Sequence, residues 1–257
     1  MNALNAMLAT ALLLAAAGVD ADEPQKVLIV VSNQVDMGDP EQHDARNDLF
    51  EVAPPFHVFL SHGYEVDFVS PDGGPVFFMR DPLGISSYAI AYEGFLERTE
   101  ATLSPEQVDP EAYWGVFIGG GYGVMFDVAA DEETQALIAG IHEAGGILGA
   151  SGHGSAGFAN VRLSTGAYLV DGKRIAGFPD STETTKDWAE QGTLLPFLLE
   201  TRLNEHGAIA LNKESLDDQN EVVIDQRIVT TMFLPSAALV AKEMILLHEQ
   251  DGARPDE

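Results

Sequence analysis

The sequence predicts a single α/β domain, a mostly parallel central sheet with helices on both faces. Three observations carry that prediction. Apolar runs with the unbroken pattern of strands buried on both faces occur at 26–32, 113–118 and 147–150. Helical segments separate them, so strand and helix alternate along the chain, the order that builds parallel sheets. Hydrophobic residues make up 46% of the 257 residues, enough to fill one large core.

The elements follow in order. Lys26-Val27-Leu28-Ile29-Val30-Val31-Ser32 is the first strand, and polar residues 33–48 read as a loop. Glu51 to Gly63 reads as a helix with Pro54-Pro55 near its start, stopped by Gly63. Tyr64 to Ser70 alternates as a strand, and Pro71-Asp72-Gly73-Gly74-Pro75 is a turn. Residues 75–112 are mixed, with a helix around Ala89 to Thr99, and read as an insertion or cap. Tyr113 to Ile118 is a strand that runs into Gly119-Gly120-Gly121-Tyr122-Gly123. Asp131 to Ala144 is a helix whose acidic first turn suits the helix dipole. Tyr168 to Ala176 reads as a hairpin around Asp171-Gly172. Leu194 to His206 is a helix closed by Gly207. Short strands follow at Ala208 to Asn212, Val222 to Ile224 and Ile228 to Thr231, and Ser236 to His248 is the closing helix.

The N-terminus predicts a compartment. Ala9 to Ala17 is a short apolar core followed by Ala15-x-Ala17 and Val19-x-Ala21. Residues 1–21 are therefore expected to be a secretory signal peptide, cleaved after Ala17 or Ala21, with a periplasmic or secreted product. The core is too short for a membrane span, and no Lys or Arg precedes it, a departure from the usual pattern. Residues 26–249 form the expected single domain. Lys+Arg 13 against Asp+Glu 41 gives a net charge of −28, which repels nucleic acid and anionic lipid. The chain has no cysteine, so disulfides, thiol catalysis and cysteine metal sites are excluded.

Candidate chemistry gathers where loops leave the carboxyl ends of sheet strands. The segment Ile147-Leu148-Gly149-Ala150-Ser151-Gly152-His153-Gly154-Ser155 reads as strand, sharp turn and helix start, the turn on which many α/β enzymes hold a nucleophile. At its tip stands Gly152, which keeps the strained turn and deletes the attacking atom. The amides of His153, Gly154 and Ser155 are expected to leave an anion-binding corner. Ser151 should point to the far side of the strand, and Ser155 comes about one turn late, so neither replaces the nucleophile. The Gly119–Gly123 loop offers amides to an oxygen, but it has neither dinucleotide spacing nor a phosphate-loop lysine. His43, His57 and His62 fit no zinc signature, so no metal is expected.

Several stretches carry a resemblance. Leu49-Phe50-Glu51-Val52-Ala53-Pro54, Gly63 to Gly74, Phe117 to Asp127, Ser151-Gly152-His153-Gly154-Ser155 and Gly177 to Glu183 are similar to motifs of the ThiJ/PfpI superfamily. Within it, the chain resembles the branch of heat-shock chaperones and glyoxalase III-like proteins. The resemblance implies a flavodoxin-like, class I glutamine amidotransferase-like three-layer sandwich with a nucleophile elbow, and no cofactor. It implies Glu51 as the carboxyl beside the nucleophile position, His153 as base and Glu183 as the acid orienting it. It implies Gly120, Gly121, Gly152 and Gly154 as the backbone that binds a substrate oxygen. Two departures stand out: Ser155 replaces the elbow proline, and Met232-Phe233-Leu234-Pro235 replaces the late Asn-Pro motif.

These readings give three expectations for function. The first is an exported protein that binds a small carbonyl-type molecule, or a repurposed non-thiol hydratase, lyase or isomerase, using Glu51 and His153. The second is a catalytically inactive chaperone-like protein. The third is the family's glyoxalase III or deglycase activity, whose usual mechanism needs a thiol. The partner is a small molecule, with no nucleic acid and no membrane after cleavage, and a homodimer is expected from the resemblance.

Overall fold

A computed structural model describes residues 25–79, 94–186, 194–212 and 222–252. The leader and much of the expected helix at Ala89 to Thr99 lie outside them. Ten strands are present among the described residues: β1 (Lys26–Val30), β2 (Asn47–Asp48), β3 (Glu65–Val69), β4 (Phe78–Met79), β5 (Tyr113–Ile118), β6 (Ile147–Ser151), β7 (Arg174–Ala176), β8 (Ile209–Leu211), β9 (Val223–Asp225) and β10 (Ile228–Thr231). Six of them form the central sheet in the order β3-β1-β5-β6-β10-β9, parallel except for the β9–β10 pair. Strand order reverses at β1, which places a crevice above the β1–β5 boundary.

Two apolar layers cover the sheet. Val27, Ile29 and Val31 face α1 (Leu49–Ser61) and the closing helix α3 (Ala237–Gly252), through Phe56, Phe59, Val240 and Met244. Leu28 and Val30 face the other way, toward α2 (Glu132–Glu143) and Phe158. Alternate residues of one strand thus feed two cores, which is why β1 is apolar at every position after Lys26. Among the described residues no helix is long and apolar enough to cross a membrane.

Two local expectations need correction. Helix α1 starts at Leu49, two residues before the sequence reading placed it, because the Asp48 side chain accepts from the Phe50 amide at 2.8 Å and caps the end. Pro54 and Pro55 consequently lie inside the helix. The hairpin at Tyr168 to Ala176 does not form. Tyr168 makes only an isolated bridge with Arg162, and β7 instead pairs in parallel with β8. The Asp171-Gly172 turn exists, but its Gly172 amide donates to the Gly207 carbonyl, a tertiary partner no local pattern reveals. The expected helix at Leu194 to His206 is shorter, Leu199–Glu205.

Candidate active site

Three loops converge above the carboxyl edge of the sheet: the one entering α1, the glycine loop after β5 and the turn after β6. Gly152 has φ +53°, the left-handed region where a side chain is strained. The elbow is therefore built as the sequence predicted. Its space is occupied, however. A Cβ placed on Gly152 would lie 2.6 Å from Glu51 Oε2 and 2.8 Å from Oε1. The Glu51 carboxyl stands where a nucleophilic side chain would begin.

The Gly120 amide faces the Glu51 carboxyl and favours its charged form. A Cβ on Gly120 would meet the same carboxyl, so glycine is required there for close approach. Gly121 and Gly154, also expected at the oxygen-binding position, have packing reasons for being glycine. Gly121, at φ +120°, presses on the Arg46 carbonyl, and Gly154 lies against the carbonyl of Ile118.

Ser151 reverses an expectation. Its hydroxyl does not point away; it faces Glu51 and favours the charged form, because the strand's alternation ends where Gly152 turns. Neither Ser151 Oγ nor Glu51 Oε2 completes a hydrogen bond of ordinary geometry, so this help is slight. Ser155 Oγ donates to the Ala176 carbonyl at 2.7 Å, a structural bond.

Glu51 is 1% exposed. Burial pushes its pKa from an ordinary 4.5 up to about 8, the negative charge of Asp48 adds to the rise, and Ser151 and the Gly120 amide oppose it. The carboxyl is therefore largely protonated at neutral pH. A carboxyl whose folded-state pKa is raised binds its proton more tightly folded than unfolded. Its stabilising contribution is whole below pH 4.5 and is lost as pH rises through about 8. Urea unfolding at a series of pH values is expected to show stability falling by roughly 3–5 kcal/mol more across that window in the natural protein than in Glu51→Gln. Parallel profiles would remove the raised carboxyl from the account.

The other predicted pair does form. His153 Nε2 lies 2.8 Å from Glu183 Oε1, with His153 6% exposed and Glu183 fully buried. The helix Asp180–Glu183 carries the acid to the ring. With Nε2 committed to Glu183, Nδ1 is the ring nitrogen left to meet a ligand. Two aromatic rings flank the imidazole, Tyr122 at 4.3 Å and Phe178 at 4.4 Å. Sequence reading missed two neighbours. The Tyr122 hydroxyl donates to Glu183 at 3.1 Å, and Lys186 Nζ contacts that hydroxyl and lies 3.5 Å from Glu183 Oε1. Lys186 sits one turn beyond Glu183, a spacing that offered a signal only once Glu183 was placed. His43 pairs with Asp39, His62 bonds the Val58 carbonyl and His57 packs edge-on against Phe56. No group of three metal-ligating side chains assembles among the described residues.

A mostly parallel sheet between helical layers, with a left-handed elbow after a central strand, is the flavodoxin-like, class I glutamine amidotransferase-like fold. No family model matches the chain. It is 29% identical over 219 residues to Glyoxalase 3 of Candida albicans, covering 78% of this chain and 89% of the relative. It is 28% identical over 178 residues to the glutathione-independent glyoxalase HSP31 of Saccharomyces cerevisiae, covering 63% and 71%. The crystal structure of glyoxalase III from Candida albicans superposes with a TM-score of 0.73 at 25% identity, over 86% of this chain and 96% of that one. The Rapid Encystment Protein 24 KDa of Francisella tularensis shares the fold, with a TM-score of 0.76 at 24% identity over 87% and 99%. The chain is thus similar over most of its length to proteins named as glyoxalases, and it shares its fold with the ThiJ/PfpI domain protein of Brachyspira murdochii, with a TM-score of 0.60 at 18% identity over 89% and 98%.

Proposed function

We propose that this protein binds small carbonyl compounds at the elbow and acts on them by acid–base chemistry without a thiol. One observation carries the reading: the buried Glu51 carboxyl fills the space at Gly152, and the next residue, His153, is held at 2.8 Å by a buried glutamate. Such a carboxyl can donate a proton to a carbonyl oxygen, while the imidazole accepts one from water or from carbon next to the carbonyl. That pairing fits a hydratase, lyase or isomerase. The names of the similar proteins favour α-oxoaldehydes within the carbonyl class. The reading includes export to the periplasm or outside the cell, from the expected leader at residues 1–21, and a homodimer.

The test is methylglyoxal binding and turnover by the full chain and by Glu51→Gln. Loss of turnover by about 100-fold or more in the variant, with binding retained, is the expected result. Equal turnover by both proteins would take the carboxylate out of any mechanism.

A second reading, a catalytically inactive chaperone-like protein, has its own observation: Glu51 fills the nucleophile's place. It requires suppression of client aggregation that Glu51→Gln leaves unchanged, with no turnover by either protein.

A further inference from the structure

We propose that Lys186 is the carbonyl-capturing amine of this site, forming a reversible imine with a small aldehyde held beside His153. The inference rests on the reading of the pocket as a small-carbonyl site and adds the atom that replaces the missing thiol.

Position argues first. Lys186 Nζ lies 4.7 Å from the centre of the Tyr122 ring and 5.1 Å from that of Phe178. Those are the two rings that flank His153. The amine thus caps the aromatic walls around the imidazole, and its side chain is 31% accessible. Its backbone amide donates to the Glu183 carbonyl at 3.0 Å, which fixes the chain on which it stands. The other described lysines lie elsewhere. Lys26 pairs with Asp67 at 3.2 Å, Lys173 donates to Gln226, and Lys242 stands exposed on the closing helix.

Electrostatics agrees. Burial lowers the pKa of Lys186, so its neutral, nucleophilic form is easier to reach than that of an exposed lysine. In contrast, Asp67 holds Lys26 above its ordinary value. The Tyr122 hydroxyl, which donates to Glu183 and contacts Nζ, stands where protons must move.

The step balances without an outside reagent. The Nζ lone pair attacks the aldehyde carbon, the C–N bond forms, and the carbonyl π electrons move to oxygen. Two protons from nitrogen reach that oxygen through the Tyr122–Glu183 pair. The C–O bond breaks, water leaves and a C=N bond remains. Water reverses each step.

The experiment incubates the full chain with methylglyoxal and sodium borohydride, then maps the adducts by tryptic mass spectrometry. The chain has five lysines, so assignment is direct. Lys186 is expected to be reduced onto the aldehyde about tenfold faster than Lys242, as a desolvated amine should be. Lys186→Arg, which keeps a positive charge near Glu183, is expected to lose that adduct. Labelling of Lys186 no faster than Lys242, with saturable binding intact, overturns the imine and leaves the carbonyl pocket standing. No saturable binding and no selective adduct overturns both.

Discussion

Gly152→Ala is expected to destabilise the protein by roughly 2–5 kcal/mol, the sum of left-handed backbone strain and forced overpacking. Both costs have a visible source. The residue has φ +53°, and the added methyl would sit 2.6 Å from Glu51 Oε2 inside a fully buried site. At this chain length the melting temperature should fall by about 5–15 °C. The two parts separate in a double-mutant cycle. In a Glu51→Ala background the methyl meets no carboxyl, so only the backbone cost should remain, and the coupling should be about 1–3 kcal/mol. Equal costs in both backgrounds would mean that Glu51 does not hold the nucleophile's seat. Gly152→Cys faces the same obstacle, so restoring a thiol requires the Glu51 carboxyl to withdraw as well.

Glu183→Gln is expected to cost about 3–5 kcal/mol, the magnitude of breaking a buried charge cluster from one side. Glu183 is fully buried and accepts from His153 at 2.8 Å and Tyr122 at 3.1 Å, with Lys186 Nζ at 3.5 Å. The glutamine keeps the volume and removes the negative charge that His153, Tyr122 and Lys186 surround. Urea denaturation reads the loss directly. A change within about 0.5 kcal/mol, the range of ordinary surface substitutions, would mean that the cluster is solvated.

Much of the fold was legible because the sheet's interior is apolar on both sides. β1, β5 and β6 show as continuous runs, and the Asp-Glu-Glu start of α2 announces its cap, with Asp131 accepting from the Thr134 amide at 2.7 Å. Elements fixed by distant partners were not legible. β7 is three residues long and is defined by its pairing with β8, more than thirty positions away. The start of α1 was missed because the Asp48 cap sits among other polar residues. The site divides in the same way. Glu51, Gly152, His153 and Glu183 were found through motifs, and the structure brings them together. Tyr122 and Lys186 join them through side-chain contacts that no spacing records. The direction of Ser151 was misread because strict alternation was carried one residue too far, up to a left-handed turn.

The account turns on a single carboxyl: Glu51 occupies the seat at Gly152 and keeps its proton at neutral pH. Carbon-13 NMR of glutamate-labelled protein, followed from pH 3 to 10, reads this most directly. One side-chain carboxyl is expected to titrate near about 8 and to be missing from the spectra of Glu51→Gln. If every glutamate that the substitution removes titrates near the ordinary 4.5, Glu51 is charged at neutral pH and the proposed acid does not exist.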